Sequence, residues 1–171
     1  MSIFLSFWIL PIVFVIHDFE EMIMVPACKR RESGSMNPIK RRAFGAVTDG
    51  PALCSGVAEE MVLLVIVSIA CSLTGGTTLY LASCVAYTFH LVVHVLACPL
   101  ARDYVPGAVT ALIEMPFMAW LIIAYWRIDQ SGLAVYLFWQ AAALVVFVVN
   151  LKLIHTLMPK IQTVLLRYAN R

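Results

Sequence analysis

A chain of 171 residues that is 62% hydrophobic and only 13% charged is too apolar for a soluble globular domain, where apolar residues make up about 45–50%. Its net charge of +2 carries no information on partners, and almost no chain is left for a soluble domain once the long apolar stretches are set aside. No phosphate-binding loop, nucleic-acid motif or covalent cofactor attachment signal is present, so no nucleic-acid partner is expected. The expected fold is all-α: a single domain over 1–171, a polytopic membrane bundle of five transmembrane helices with a short C-terminal interfacial helix.

The first span, about Ser2–Val25, lacks a basic leader and a small-x-small cleavage site, so it reads as a retained helix rather than a signal peptide. The stretch Lys29–Arg42 contains six basic residues together with Gly34, Asn37 and Pro38. It is expected to be an exposed cytoplasmic loop against anionic headgroups, dispensable for chemistry. Pro51–Leu73 and Thr77–Ala101 form the next two spans, joined by a tight external hairpin at Gly75–Gly76. Arg102–Tyr104 and Pro106 lead into the fourth span, Val105–Tyr125, in which Pro116 is expected to produce a kink. Leu133–Met158 is the fifth. Each approaches or exceeds the ~20 residues needed to cross a bilayer. Beyond Pro159, Ile161, Val164, Leu165 and Tyr168 recur at helical spacing among Lys160, Arg167 and Arg171, the pattern of a short interfacial helix.

Eleven of the twelve basic residues fall on one side of this arrangement and Arg127 alone on the other. Short basic loops stay in the cytoplasm, so the N-terminus is expected outside and the C-terminus inside, in the cell inner (plasma) membrane. The five cysteines form no CxxC pair and lie mostly within spans, where cysteine behaves as a small apolar residue.

The spans also carry groups that are costly in hydrocarbon. His17, Asp18, Glu20 and Glu21 lie on the first, Glu59 and Glu60 on the second, His90 and His94 on the third, Glu114 on the fourth, and Asn150 and His155 on the fifth. An acidic residue at a helix centre costs about 2.5–3.5 kcal/mol, so such a set must face the interior and find partners. Counting ~1.5 Å per residue from the cytoplasmic helix ends puts the groups of the first four helices at one depth. His17, Glu20 and Glu21 share an arc at spacings i, i+3 and i+4, and His90 and His94 share a face at i, i+4.

Six carboxylates share the spans with no cation except the peripheral Lys152, so either several are protonated or a divalent metal neutralises them. Imidazole beside carboxylate favours a divalent transition metal, one or two ions, zinc or iron. The expected ligands are His17, Glu21, Glu60, His90 and His94, with Glu20, Glu59 and Glu114 as candidate acids or bases. Glu114 also reads as a protonated carboxyl serving the backbone freed at Pro116, Asn150 as interhelical glue, and His155 as an interfacial residue.

His17-Asp18-Phe19-Glu20-Glu21 resembles the signature of the bacterial HXXEE-motif membrane proteins. Glu60 on the second helix with His90 and His94 on the third is similar to that family's pattern, and the resemblance spans nearly the whole chain. It implies a class of protein and no particular reaction; Glu114 and Cys98 have no place in its pattern. The reading adopted from the residues is a metal-dependent membrane enzyme, hydrolase or di-metal oxidoreductase, acting on a lipid or other lipophilic substrate. The expected partners are membrane lipids, that small molecule and a second copy of the chain. The alternatives are a metal-free acid/base isomerase and a small ion or proton carrier.

Overall fold

The computed structural model describes residues 5–32, 37–40, 47 and 50–170. Five long helices dominate: α1 (Ile9–Arg31), α2 (Gly50–Thr74), α3 (Thr77–Ala101), α4 (Ala108–Ile128) and α5 (Leu133–Ala169). A further helical turn occupies 38–40, and no strand occurs among the described residues. The helices close into a ring in the order α1, α2, α5, α3, α4, and a contact between α2 and α3 braces it.

Small residues set the closest approaches, as expected where lipid gives helices no hydrophobic reason to associate. Ala52 and Gly56, one turn apart on α2, are both buried, and a Cβ on Gly56 would lie 2.8 Å from Ile154 Cγ2 and 2.9 Å from Met158 Sδ of α5. Gly75, at φ +69°, makes the turn between α2 and α3. Next to that turn, the tyrosines of α3 and α4 serve the start of α1. Tyr80 accepts from Leu10 N at 3.1 Å and Tyr125 donates to Leu5 O at 2.7 Å, while Ser68 of α2 donates to Phe7 O at 2.8 Å. Helix-start groups that would otherwise be bare are thereby satisfied inside apolar surroundings.

Three sequence-based expectations change. Four helices, α2 to α5, are long and apolar enough to cross a membrane; α1 is long enough, but Asp18, Glu20 and Glu21 fall in its middle. The separate C-terminal interfacial helix does not form, because α5 runs unbroken through Pro159 to Ala169. At ~1.5 Å per residue its 37 residues measure about 55 Å, well beyond a hydrocarbon core of about 30 Å. α4 begins at Ala108, not Val105, and contains Pro116 as expected.

The basic connection after α1 is not simply solvated. Residues 33–36 and 41–46 of that stretch lie outside the described residues, but Lys40 is 2% exposed. Its ammonium pairs with Glu32 at 2.5 Å and Asp103 at 2.6 Å, and Arg31 reaches Asp103 at 2.8 Å. Asn37 donates to Ala101 O at 2.9 Å, and Ile39 packs with Val25, Ala101 and Val105. Lys40 holds the Asp103 carboxyl below its usual range. Burial works against the Lys40 charge, yet its two carboxylate partners raise it above its ordinary value. The connection is thus tied to the α3–α4 turn.

Candidate metal centre

α1 and α3 each deliver two donors one turn apart. His17, Glu21, His90 and His94 offer one ligand atom each, all within 4.8 Å of one another. The Glu21 Oε1 atom is the hub: it lies 2.9 Å from His94 Nε2, 3.7 Å from His17 Nε2 and 4.0 Å from His90 Nε2, and His90 and His94 approach Nε2 to Nε2 at 3.1 Å. A tetrahedral shell with bonds of about 2.0–2.1 Å sets its ligand atoms about 3.3 Å apart. The observed separations bracket that value. His17 is fully buried and His94 6% exposed.

The far nitrogens of two of these imidazoles fix the roles of the near ones. His94 Nδ1 lies 2.8 Å from Pro106 O; a carbonyl only accepts, so Nδ1 carries a proton, and in the neutral imidazole this leaves the Nε2 lone pair toward Glu21. His17 Nδ1 lies 3.0 Å from Thr110 Oγ1, whose hydroxyl proton goes to Glu20 Oε2 at 2.6 Å. Thr110 therefore accepts from His17 Nδ1–H, and His17 Nε2 also faces the hub as an acceptor. His17 Nε2 and Glu21 Oε1 are buried without a hydrogen-bond partner among the described residues. Donor atoms converging in this way can share a cation. One proton serves one imidazole–carboxylate pair; a metal ion serves all four donors.

The α3–α4 turn makes room for this. Gly107 sits at φ +87°, where a side chain is strained, and a Cβ there would lie 2.8 Å from His94 Nδ1 and 3.0 Å from both Glu21 Oε1 and His17 Cε1. Glu20, one of the expected acid/base groups, is engaged at the start of α4. It accepts from Thr110 N at 2.7 Å, Val109 N at 3.3 Å, Thr110 Oγ1 at 2.6 Å and Tyr104 OH at 2.5 Å. A carboxylate there meets the positive end of the helix dipole. Glu20 thus steadies the hydroxyl that orients His17.

The remaining candidates surround the cluster without entering it. Glu60, expected as a ligand, lines the adjoining cavity beside His90 and is not one of the four clustered donors. Glu59 accepts from Asn150 Nδ2 at 3.0 Å, tying α2 to α5. Glu114 accepts from Tyr87 OH at 2.6 Å, and its other oxygen, like Asp18 Oδ2, has no partner among the described residues. A cavity of about 530 Å³, bordered by Asp18, Glu21, Glu60, His90, His94 and His155, opens directly onto the donors. That size is normal for a small-molecule site. Gly107, Thr110, Tyr104 and the Pro106 carbonyl were not singled out in the sequence. Pro106-Gly107 marks a turn, and Thr110 is a hydroxyl in the first turn of an apolar helix, but neither signal points to a histidine on another helix.

A helical bundle of membrane type, with a buried His/Glu cluster facing a cavity, is the class these observations define. Residues 8–121 match a family model described as a protein of unknown function with HXXEE motif. The chain belongs to that family. The match includes all four clustered donors and stops short of α5. No curated protein and no solved structure matches the chain.

Proposed function

We propose that this protein is an integral membrane metalloenzyme that holds one divalent transition metal, zinc or iron, on His17, Glu21, His90 and His94 and acts on a lipophilic substrate. The observation that carries the reading is the convergence of four donor atoms within 4.8 Å, with the outer nitrogens of His17 and His94 already committed to Thr110 and Pro106. Such outer contacts fix the tautomer of metal-binding histidines. In this reading α1 is a fifth membrane-crossing helix. Glu21 faces the imidazoles inside the ring, Glu20 faces the α4 start and Asp18 is buried; the N-terminus lies outside and the C-terminus in the cytoplasm of the inner membrane.

The metal would polarise a substrate oxygen or activate water or oxygen for attack. Glu21, His90 and His94 face the cavity, so that side is where a substrate would approach. Glu60 borders the same cavity and is the side chain best placed to move a proton there. Glu20 and Glu59 are engaged in hydrogen bonds that hold helices together, so the proton-transfer role is assigned to Glu60. The test is elemental analysis of detergent-purified protein. Near-stoichiometric zinc or iron is expected in the wild type, with more than about a hundredfold loss of affinity in His94→Ala. Metal-free wild type, or full occupancy in the variant, contradicts the reading. A C-terminal reporter active only outside the cytoplasm contradicts the topology.

A further inference from the structure

Glu60 and His90 border a second space as well. On their other side a cavity of about 240 Å³ follows α3 from His90 to Leu79 and α5 from Asn150 to Trp139. Each wall covers eleven residues of separation, about 16 Å of helix rise. The lining is carbon: Leu64, Val67, Ala86, Ala143 and Phe147 are typical of it. Three of the polar groups along it have hydrogen bonds elsewhere. Ser83 donates to Leu79 O, Tyr87 to Glu114 and Asn150 to Glu59. Such a slot offers a solute apolar contact and little else, and its small volume over that length leaves the width of one hydrocarbon chain.

On the near side of Glu60 and His90, the first cavity adds charged groups to a largely apolar wall. Lys152 and His155 of α5 line it opposite Glu21 and His94, and among the described residues no carboxylate lies within ion-pair reach of Lys152. The cavity that carries both Lys152 and three of the four clustered donors, and the carbon-lined slot beyond it, share two lining residues. We infer that the site takes a single-chain anionic amphiphile, with its head beside Lys152 and the cluster and its hydrocarbon chain running past Glu60 and His90 toward Trp139. This substrate class rests on the metal-centre reading for its chemistry but not for its binding. It places the bond nearest the head at the metal side of Glu60.

Trp139 at the far end of the slot supplies the probe. A variant keeping only this tryptophan (Trp8→Phe, Trp120→Phe, Trp126→Phe) is titrated in detergent with palmitate brominated at either end, and with hexadecyl phosphate and hexadecanol brominated at the chain end. Saturable quenching is expected from chain-end bromine, and several-fold less from bromine beside the carboxylate at equal occupancy. Ala143→Phe, which fills the slot, should weaken binding about tenfold, or about 1.4 kcal/mol; Ala143→Leu gives the same reading with less bulk where the larger side chain prevents insertion. Lys152→Gln should weaken palmitate and hexadecyl phosphate several-fold and leave hexadecanol unchanged. A larger loss for the phosphate than for the carboxylate identifies a phosphorylated head. Linear, non-saturating quenching that is equal for both bromine positions, or binding unaffected by both Ala143 variants, overturns the inference. Metal content is measured on the same samples. Metal-free protein that still shows saturable, end-specific quenching refutes the metal centre alone, and metal-loaded protein with only linear quenching refutes the amphiphile alone.

Discussion

Two of the places where the described part of the bundle buries polar groups treat them in opposite ways. Around Tyr80, the hydroxyls of Tyr80, Tyr125 and Ser68 each meet a backbone group at the start of α1, and Phe7, Tyr80 and Tyr125 stack about them at centroid distances of 4.6–5.6 Å. Around His17, His17 Nε2, Asp18 Oδ2 and Glu114 Oε1 are buried with no hydrogen-bond partner among the described residues, and Glu21 Oε1 is left with imidazole nitrogens as its neighbours. In hydrocarbon every unsatisfied polar group is expensive. The first region is complete in itself and holds helices together. The second holds buried polar atoms without partners among the described residues, and the proposed metal centre lies there.

Substitutions should separate the two ends by what they disturb. The largest effect is expected for Glu21→Gln, which removes the hub charge shared by three imidazoles. Metal affinity should fall by more than about a hundredfold, read by equilibrium dialysis, while helicity is retained. A variant that keeps its metal would show that Glu21 is not a ligand. Next comes Gly107→Ala, where a Cβ meets His94 and Glu21 and the positive φ is strained. A stability loss of about 1–3 kcal/mol is expected in detergent melts, together with weakened metal binding.

Thr110→Val keeps the volume but removes the acceptor that fixes the His17 tautomer. Affinity should drop about 10–100-fold, with Thr110→Ser restoring most of it; an equal defect in Ser would mean that packing alone is at stake. At the other end, Tyr125→Phe loses a single bond to Leu5 O. It should lower stability by about 1 kcal/mol and leave metal content unchanged.

The smallest effect concerns the tie between the first connection and the α3–α4 turn. Asp103 is held below its ordinary value of 3.8 by Lys40, so its contribution is present above that value and lost as pH falls through its lowered value. Trypsin should cut the first connection faster in Lys40→Met than in wild type at neutral pH, and acid should narrow the difference. Equal cleavage at all pH values would return this connection to a purely solvated role.

Much of this architecture was legible because hydropathy and polar cost are strong signals. The spans Pro51–Leu73 and Thr77–Ala101 coincide with α2 and α3 to within a residue, and the i, i+4 pairs His17/Glu21 and His90/His94 converge as their helical spacing requires. Glu60 could not be distinguished from a ligand, because depth and arc locate a side chain only to within one turn. Glu20 shares an arc with His17, yet it turns to the α4 start, where four donors await it. Lys40 was hidden by its basic neighbours: composition describes a loop's average, while the burial of one ammonium depends on Glu32 and on Asp103, 63 residues away. The continuity of α5 through Pro159 also lay beyond a residue-by-residue reading, since proline more often ends a helix than rides within it.

The most direct test of a metal at the His17 end is X-ray absorption spectroscopy of the purified, metal-loaded protein. The account predicts one bound ion whose first shell combines three imidazole nitrogens and one carboxylate at about 2.0–2.2 Å, with one imidazole lost in His90→Ala. A shell without imidazole, or a spectrum unchanged in that variant, would contradict it.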